Sequence, residues 1–122
     1  MSLEFHAADL SAALAAASDD ALRDAPFGVV RMDAAATVTL YNTWESQLSG
    51  LSPDAVLGKT FFTQVAPCTN NFMVAHRYDQ AGDLDETVDY VFTYRLAPTA
   101  VRLRMIKRDG GPRWLLVERR GR

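Results

Sequence analysis

"ETVDYVFTYRLAPTAVRLRMIKRDGGPRWLLVERR", Glu86–Arg120, decides the fold class of this chain. Val88, Tyr90, Phe92, Tyr94 and Leu96 alternate onto one face, which is the period of a strand with one buried side. The next run repeats the pattern, with Val101, Leu103 and Met105 opposed by Arg102 and Arg104. "DGGP" (109–112) is a hairpin signal, and "RWLLVERR" returns as a further strand. Toward the N-terminus, "GVVRM" (28–32) and "TVTLYN" (37–42) read as two more strands, joined by the short connection "DAAA".

Between the two strand groups lies a series of short helical pieces. "NTWESQL" is one. "SPDAVLG" has Ser52 as N-cap, Pro53 at the first helical position and Gly58 as its stop. "KTFFTQV" is a turn broken by Pro67. "NNFMVAHRYDQAGD" (70–83) reads as the longest helix of the middle, capped by Asn70 or Asn71 and ended by Gly82. At the N-terminus, Leu10, Ala13, Leu14 and Ala17 follow helical spacing, and Asp19 and Asp20 mark a break before a second turn. That segment has few large apolar side chains, so it is expected to form a weakly docked cap, among the least stable parts of the fold. The order β-β, helices, β-β-β predicts an α+β fold: a five-stranded antiparallel sheet with short helices packed on it. Residues 1–25 form the cap and residues 26–122 the core, within one structural domain.

The chain has 122 residues, 48% of them hydrophobic and 23% charged, enough for a single core. Its net charge is −2 with no basic block, so a nucleic-acid partner is not expected. "RRGR" at the C-terminus reads as a solvated tail. No apolar run approaches the ~20 residues that span a bilayer, and "MSLEFHAADL" lacks the basic start of a signal peptide. These features lead to the expectation of a cytoplasmic protein, monomeric or weakly dimeric.

Few residues offer chemistry. His6 and His76 are far apart in sequence and there is a single cysteine, Cys68, so neither a zinc site nor an internal disulfide is expected. Cys68 with His76 would be a nucleophile and base, but no motif marks an oxyanion hole or an orienting carboxylate. Tyr41 and Glu45 fall on one side of a helix that begins near Asn42. Glu45 lies between Trp44 and Leu48 and either faces an apolar pocket or, like most glutamates, faces water. The aromatic stripe of the third strand is by spacing alone either core packing or the wall of a pocket.

Three motifs together go further. "YNTWE" (41–45), "GKTFFTQVAPCT" (58–69) and "YVFTYRLAPT" (90–99) resemble the photoactive yellow protein family, blue-light sensors of the PAS superfamily. The resemblance runs from about Asp19 to the C-terminus, and Gly58–Thr69 is its most specific part. It implies the PAS fold, whose five-stranded antiparallel sheet with helices on one face agrees with the strand pattern above. It also implies a receptor rather than an enzyme, acting on a downstream signalling protein that the sequence does not name.

The resemblance assigns residues. Cys68 stands where the family carries 4-hydroxycinnamic acid (p-coumaric acid) as a thioester. Tyr41 and Glu45 match the two residues that hydrogen-bond its phenolate oxygen, and Ser49 stands for a threonine that supports the tyrosine. Val30, Phe61, Val65, Ala66, Thr69, Phe92, Tyr94 and Leu96 align with positions that line the pocket. The family commonly has an arginine where this chain has Leu51, so a cover is kept while a positive charge and its donors are lost. Trp44 is bulkier than its counterpart, and the segment after Cys68 is shorter. The implied cycle is trans–cis photoisomerisation, proton transfer from Glu45 and partial unfolding of the N-terminal cap. A chromophore-free PAS-like module that binds another small ligand or a protein is the alternative reading.

Overall fold

The structure, a computed structural model, describes residues 3–93 and 98–120. Five strands are present: β1 Gly28–Met32, β2 Val38–Tyr41, β3 Leu84–Phe92, β4 Thr99–Lys107 and β5 Arg113–Arg119. They form one antiparallel sheet in the order β2-β1-β5-β4-β3. The first and last thirds of the chain therefore meet at the centre, where Gly28 lies opposite Val117 and Val30 opposite Leu115. β3 begins two residues before the alternating stretch quoted above. Tyr94 and Leu96, which continue that alternation, lie outside the described residues. The β4–β5 turn follows its sequence: Gly110 takes φ 79° and the Gly111 N–H donates to the Arg108 carbonyl at 2.8 Å. A left-handed φ of this kind is costly for a residue with a Cβ and cheap for glycine.

Alternation along each strand sends side chains to two faces, and both are covered over the middle of the sheet, while most of β3 is exposed. On the front face Val30, Met32, Leu103, Met105, Leu115 and Val117 meet Phe61, Phe62 and Tyr78. The helix α3 (Thr43–Ser49) adds Trp44 and Leu48 there, and α4 (Pro53–Val56) adds Val56. α4 has the predicted start, with the Ser52 side chain accepting from the Ala55 N–H and Pro53 in the first turn. On the back face Val29, Leu40, Ile106, Trp114 and Leu116 lie under the N-terminal segment.

That segment carries α1 (Leu10–Ala16) and α2 (Asp19–Arg23), the two short helices expected. Its anchorage is stronger than the sequence suggests. Leu10, Leu14 and Leu22 are almost wholly buried, and Phe5 and Phe27 join them. Burying a leucine contributes about 1.5–3 kcal/mol, set against about 1–2 kcal/mol per residue to order backbone. Few anchors therefore hold many ordered residues. Polar tethers add to them. Arg104, on the polar side of β4 by its alternation, is buried: it grips both oxygens of Asp85 at 2.8 Å and donates to the carbonyls of Phe5 (2.8 Å) and Ala7 (2.7 Å). Arg31 reaches Asp19 at 3.0 Å, and His6 meets Glu118 at 2.8 Å.

The long helix expected over 70–83 does not form. The Asn71 side-chain oxygen accepts from the Met73 and Val74 N–H groups at 2.9 and 3.2 Å, which fixes a tight turn in place of a first helical turn. Val74 then takes φ −126°, ψ −75°, and only a short 3₁₀ turn, Ala75–Asp79, follows. This turn drives Tyr78 into the front cluster, where its hydroxyl donates to the Trp114 carbonyl at 2.7 Å.

Burial pushes the Tyr78 phenol well above its ordinary value, opposed by a smaller downward pull from Arg113. A raised phenol pKa favours the neutral form in the folded state. The associated stability is intact below the unfolded-state value of ~10 and is lost as pH rises through the folded one. Alkaline titration of unfolding free energy should therefore show a loss beginning above about pH 10. Tyr78→Phe should flatten that loss and cost about 1–2 kcal/mol at neutral pH. An unchanged alkaline slope would contradict the assignment.

Candidate functional site

The front face carries most of the described side chains that the resemblance singles out. The turn after β2 places three of them. Asn42 is the N-cap of α3, its Oδ1 accepting from the Glu45 N–H at 3.1 Å. The helix thus starts where Tyr41 ends the strand. Tyr41 is 2% exposed, and its hydroxyl donates to Ser49 Oγ at 2.9 Å, two turns along α3. The same Ser49 oxygen accepts from the Leu51 N–H at 3.1 Å, and Ser46 Oγ donates to the Leu51 carbonyl at 2.6 Å. Leu51 is half-buried and packs on the front cluster as a neutral cover. Glu45, which spacing left between pocket and solvent, is 0% exposed. An ionised carboxylate at such depth is disfavoured by desolvation.

A second group comes from the loop between α4 and β3. Phe61–Val65 make a single π turn, in which the Ala66 N–H donates to the Phe61 carbonyl at 2.8 Å. Ala66 takes φ −133°, ψ 69°, outside the helical region that a following proline disfavours. Pro67–Thr69 form a 3₁₀ turn closed by the Thr69 N–H and Oγ1, both donating to the Ala66 carbonyl at 2.9 and 2.7 Å. Cys68 is free, half-buried, and packed on the front cluster with Val65. Val30, Tyr41, Phe61, Ala66 and Phe92 belong to the same cluster. Thr69 is fully buried. His76, the candidate base, is exposed, with its ring edge-on to Phe72 at 4.9 Å.

Three residues of this region, Tyr90, Asn71 and Asn42, were not assigned to the site by sequence reasoning. Tyr90 donates to the Cys68 carbonyl and accepts from Asn71 Nδ2 at 2.6 Å; the same Nδ2 reaches the Cys68 carbonyl at 3.2 Å. The turn bearing the thiol is thus tied to β3. Asn42 is 0% exposed and uses every polar position it has. Besides capping α3, its Oδ1 accepts from the Val29 N–H at 2.9 Å, and its Nδ2 donates to the carbonyls of Leu22 (3.1 Å) and Phe27 (2.8 Å). One amide therefore joins the helix of Glu45 to the last residues of the cap. An asparagine before a helix signals a cap, but its long-range partners carry no local signature.

This arrangement has known counterparts. The chain is 35% identical, over 121 residues, to photoactive yellow protein from Rhodothalassium salexigens, covering 96% of this chain and 97% of that one. It belongs to the photoactive yellow protein family. The family member from Halochromatium salexigens is also 35% identical over 121 residues, with the same coverage. Among solved structures, the photoactive yellow protein domain of the sensor histidine kinase Ppr from Rhodospirillum centenum superposes with a TM-score of 0.80. It is 32% identical and covers 88% of this chain and 98% of that domain. The PAS domain of an HTR-like protein from Haloarcula marismortui, 16% identical with a TM-score of 0.64, shares the fold. No protein-family model matches the chain. The protein is a PAS-type photoreceptor of the photoactive yellow protein family and not an enzyme. No helix among the described residues is long and apolar enough to cross a membrane.

Proposed function

We propose that this protein senses blue light through 4-hydroxycinnamic acid held as a thioester at Cys68, and signals by loosening residues 1–25 from the core. The observation that carries this reading is the complete burial of the Glu45 carboxyl on the face that also bears Tyr41 and Cys68. The donor set suits a phenolate: the Tyr41 O–H, which here donates to Ser49 Oγ, would turn to the phenolate with the Ser49 O–H donating to Tyr41 in its place, and Glu45 offers a second O–H while it is protonated. Hydrogen bonds from such donors to an anionic oxygen are about twice as strong as neutral ones. Val30, Phe61, Val65, Ala66, Thr69 and Phe92 supply the walls, Leu51 the cover, and Tyr94 and Leu96 complete the proposed set.

Bound at Cys68, the group supplies blue absorption, a double bond that light turns from trans to cis, and a phenolate oxygen. The protein's own part is the handling of one proton. In the dark Glu45 holds it on its carboxyl. After light Glu45 would pass it to the phenolate oxygen of the bound group, and the carboxylate left behind is buried, which costs several kcal/mol in a dry site. The Glu45 N–H and the Leu22 carbonyl share Asn42, so strain on α3 reaches the cap through that amide. Cap and core separate near residue 25, and the uncovered back face of the sheet would meet the downstream partner. That a related domain occurs in a sensor histidine kinase supports a signalling partner of this kind.

Incubation with p-coumaric anhydride tests the site. The wild-type protein should gain one acyl group at Cys68, located by peptide mass spectrometry, and a strong blue absorption band. Cys68→Ser should gain neither. A coloured Cys68→Ser protein would refute the covalent site, and a wild-type protein that stays colourless would favour the chromophore-free module.

A further inference from the structure

We propose that Gly28 is the positioning residue for the Glu45 carboxyl: its missing side chain leaves a notch in the front face of the sheet, and the carboxyl is seated in it. This rests on the reading of Glu45 as the proton store.

The notch follows from strand geometry. Phe27 and Val29 belong to the back cluster and Val30 to the front, so alternation along β1 turns position 28 to the front face. A glycine inside a strand weakens it and often marks close approach of another group. Its backbone φ gives no reason for glycine here, since it does not lie in the left-handed region. Space does. A Cβ at this position would overlap Glu45 Oε1, and would stand 3.0 Å from Val117 Cβ and 3.1 Å from Trp44 Cε3. The worst collision is with the carboxyl oxygen itself, whose side chain is wholly buried and would have to leave its seat to make room. The seat sets the carboxyl against β1, opposite Val117 of β5, with Trp44 closing one side.

Two roles predict different outcomes. If Gly28 only lets α3 lie close to β1, an added methyl group costs the same whatever stands at position 45. If Gly28 seats the carboxyl, the cost depends on that carboxyl. A double-mutant cycle on the apo protein separates them. Gly28→Ala should lower the folding equilibrium constant on the order of tenfold more in the wild-type background than in Glu45→Ala. Unfolding of Gly28→Ala alone, with a folded Gly28→Ala/Glu45→Ala protein, is the same result in stronger form. Equal costs in the two backgrounds would overturn the proposal. After loading with p-coumaric anhydride, folded Gly28→Ala should also show a shifted visible band, in the direction seen for Glu45→Gln. A band at the wild-type wavelength would overturn it too. Should the wild-type protein take up no chromophore, the proposed function falls, while the apo cycle still decides the part played by Gly28.

Discussion

Glu45→Gln should move the visible band of the loaded protein and leave the N-terminal cap docked under illumination. Glutamine has nearly the same shape and keeps a donor, so the dark packing of α3 should survive. It cannot supply a proton. No buried carboxylate then forms, and the several kcal/mol that its desolvation would bring are absent. Against a total stability of ~5–15 kcal/mol for a domain, that is a large fraction. At ~1.4 kcal/mol per tenfold, the illuminated population with an open cap should fall on the order of a hundredfold or more. Amide hydrogen exchange over residues 3–25, dark against light, measures it. Equal light-induced exchange in wild type and Glu45→Gln would mean that something other than the Glu45 proton releases the cap.

Arg104→Met should free the cap in the dark, without chromophore. The methionine retains much of the apolar stem but removes four hydrogen bonds: two to Asp85 and one each to the carbonyls of Phe5 and Ala7. Breaking a fully buried ion pair costs about 3–5 kcal/mol because the orphaned charge stays buried. Asp85 keeps 43% of its side chain in water, so that penalty is reduced. The loss is then mainly that of charge-assisted bonds to two carbonyls, about 3–6 kcal/mol in all. It should fall on the cap, so amides of α1 and α2 should exchange faster while those of β4 and β5 hold. A uniform rise across sheet and cap would show that Arg104 stabilises the whole fold and is no latch.

How much of this could be seen in the chain itself differs by feature. The strands were legible because alternation is local: Val101, Leu103 and Met105 show their face within a few residues. The order of strands was not, since the pairing of Gly28 with Val117 spans nearly the whole chain. The helix expected over 70–83 was lost to one side chain, Asn71, whose local hydrogen bonds compete with a helix start. The cap looked poorly anchored because alanines dilute its composition, while its few leucines are among the most buried residues present. At the site, the motifs found Tyr41, Glu45 and Cys68, but spacing could not show that Glu45 is buried. The roles of Asn42, Tyr90 and Gly28 at the site were not legible because they depend on partners distant in sequence.

The central claim is that Glu45 stores a proton in the dark and gives it up after light. The light-minus-dark infrared difference spectrum of the loaded protein tests it most directly, through the C=O stretch of a protonated carboxyl. The account predicts that wild type loses this band on illumination and that Glu45→Gln shows no such loss. A wild-type spectrum without the loss, or the same loss in Glu45→Gln, would contradict it.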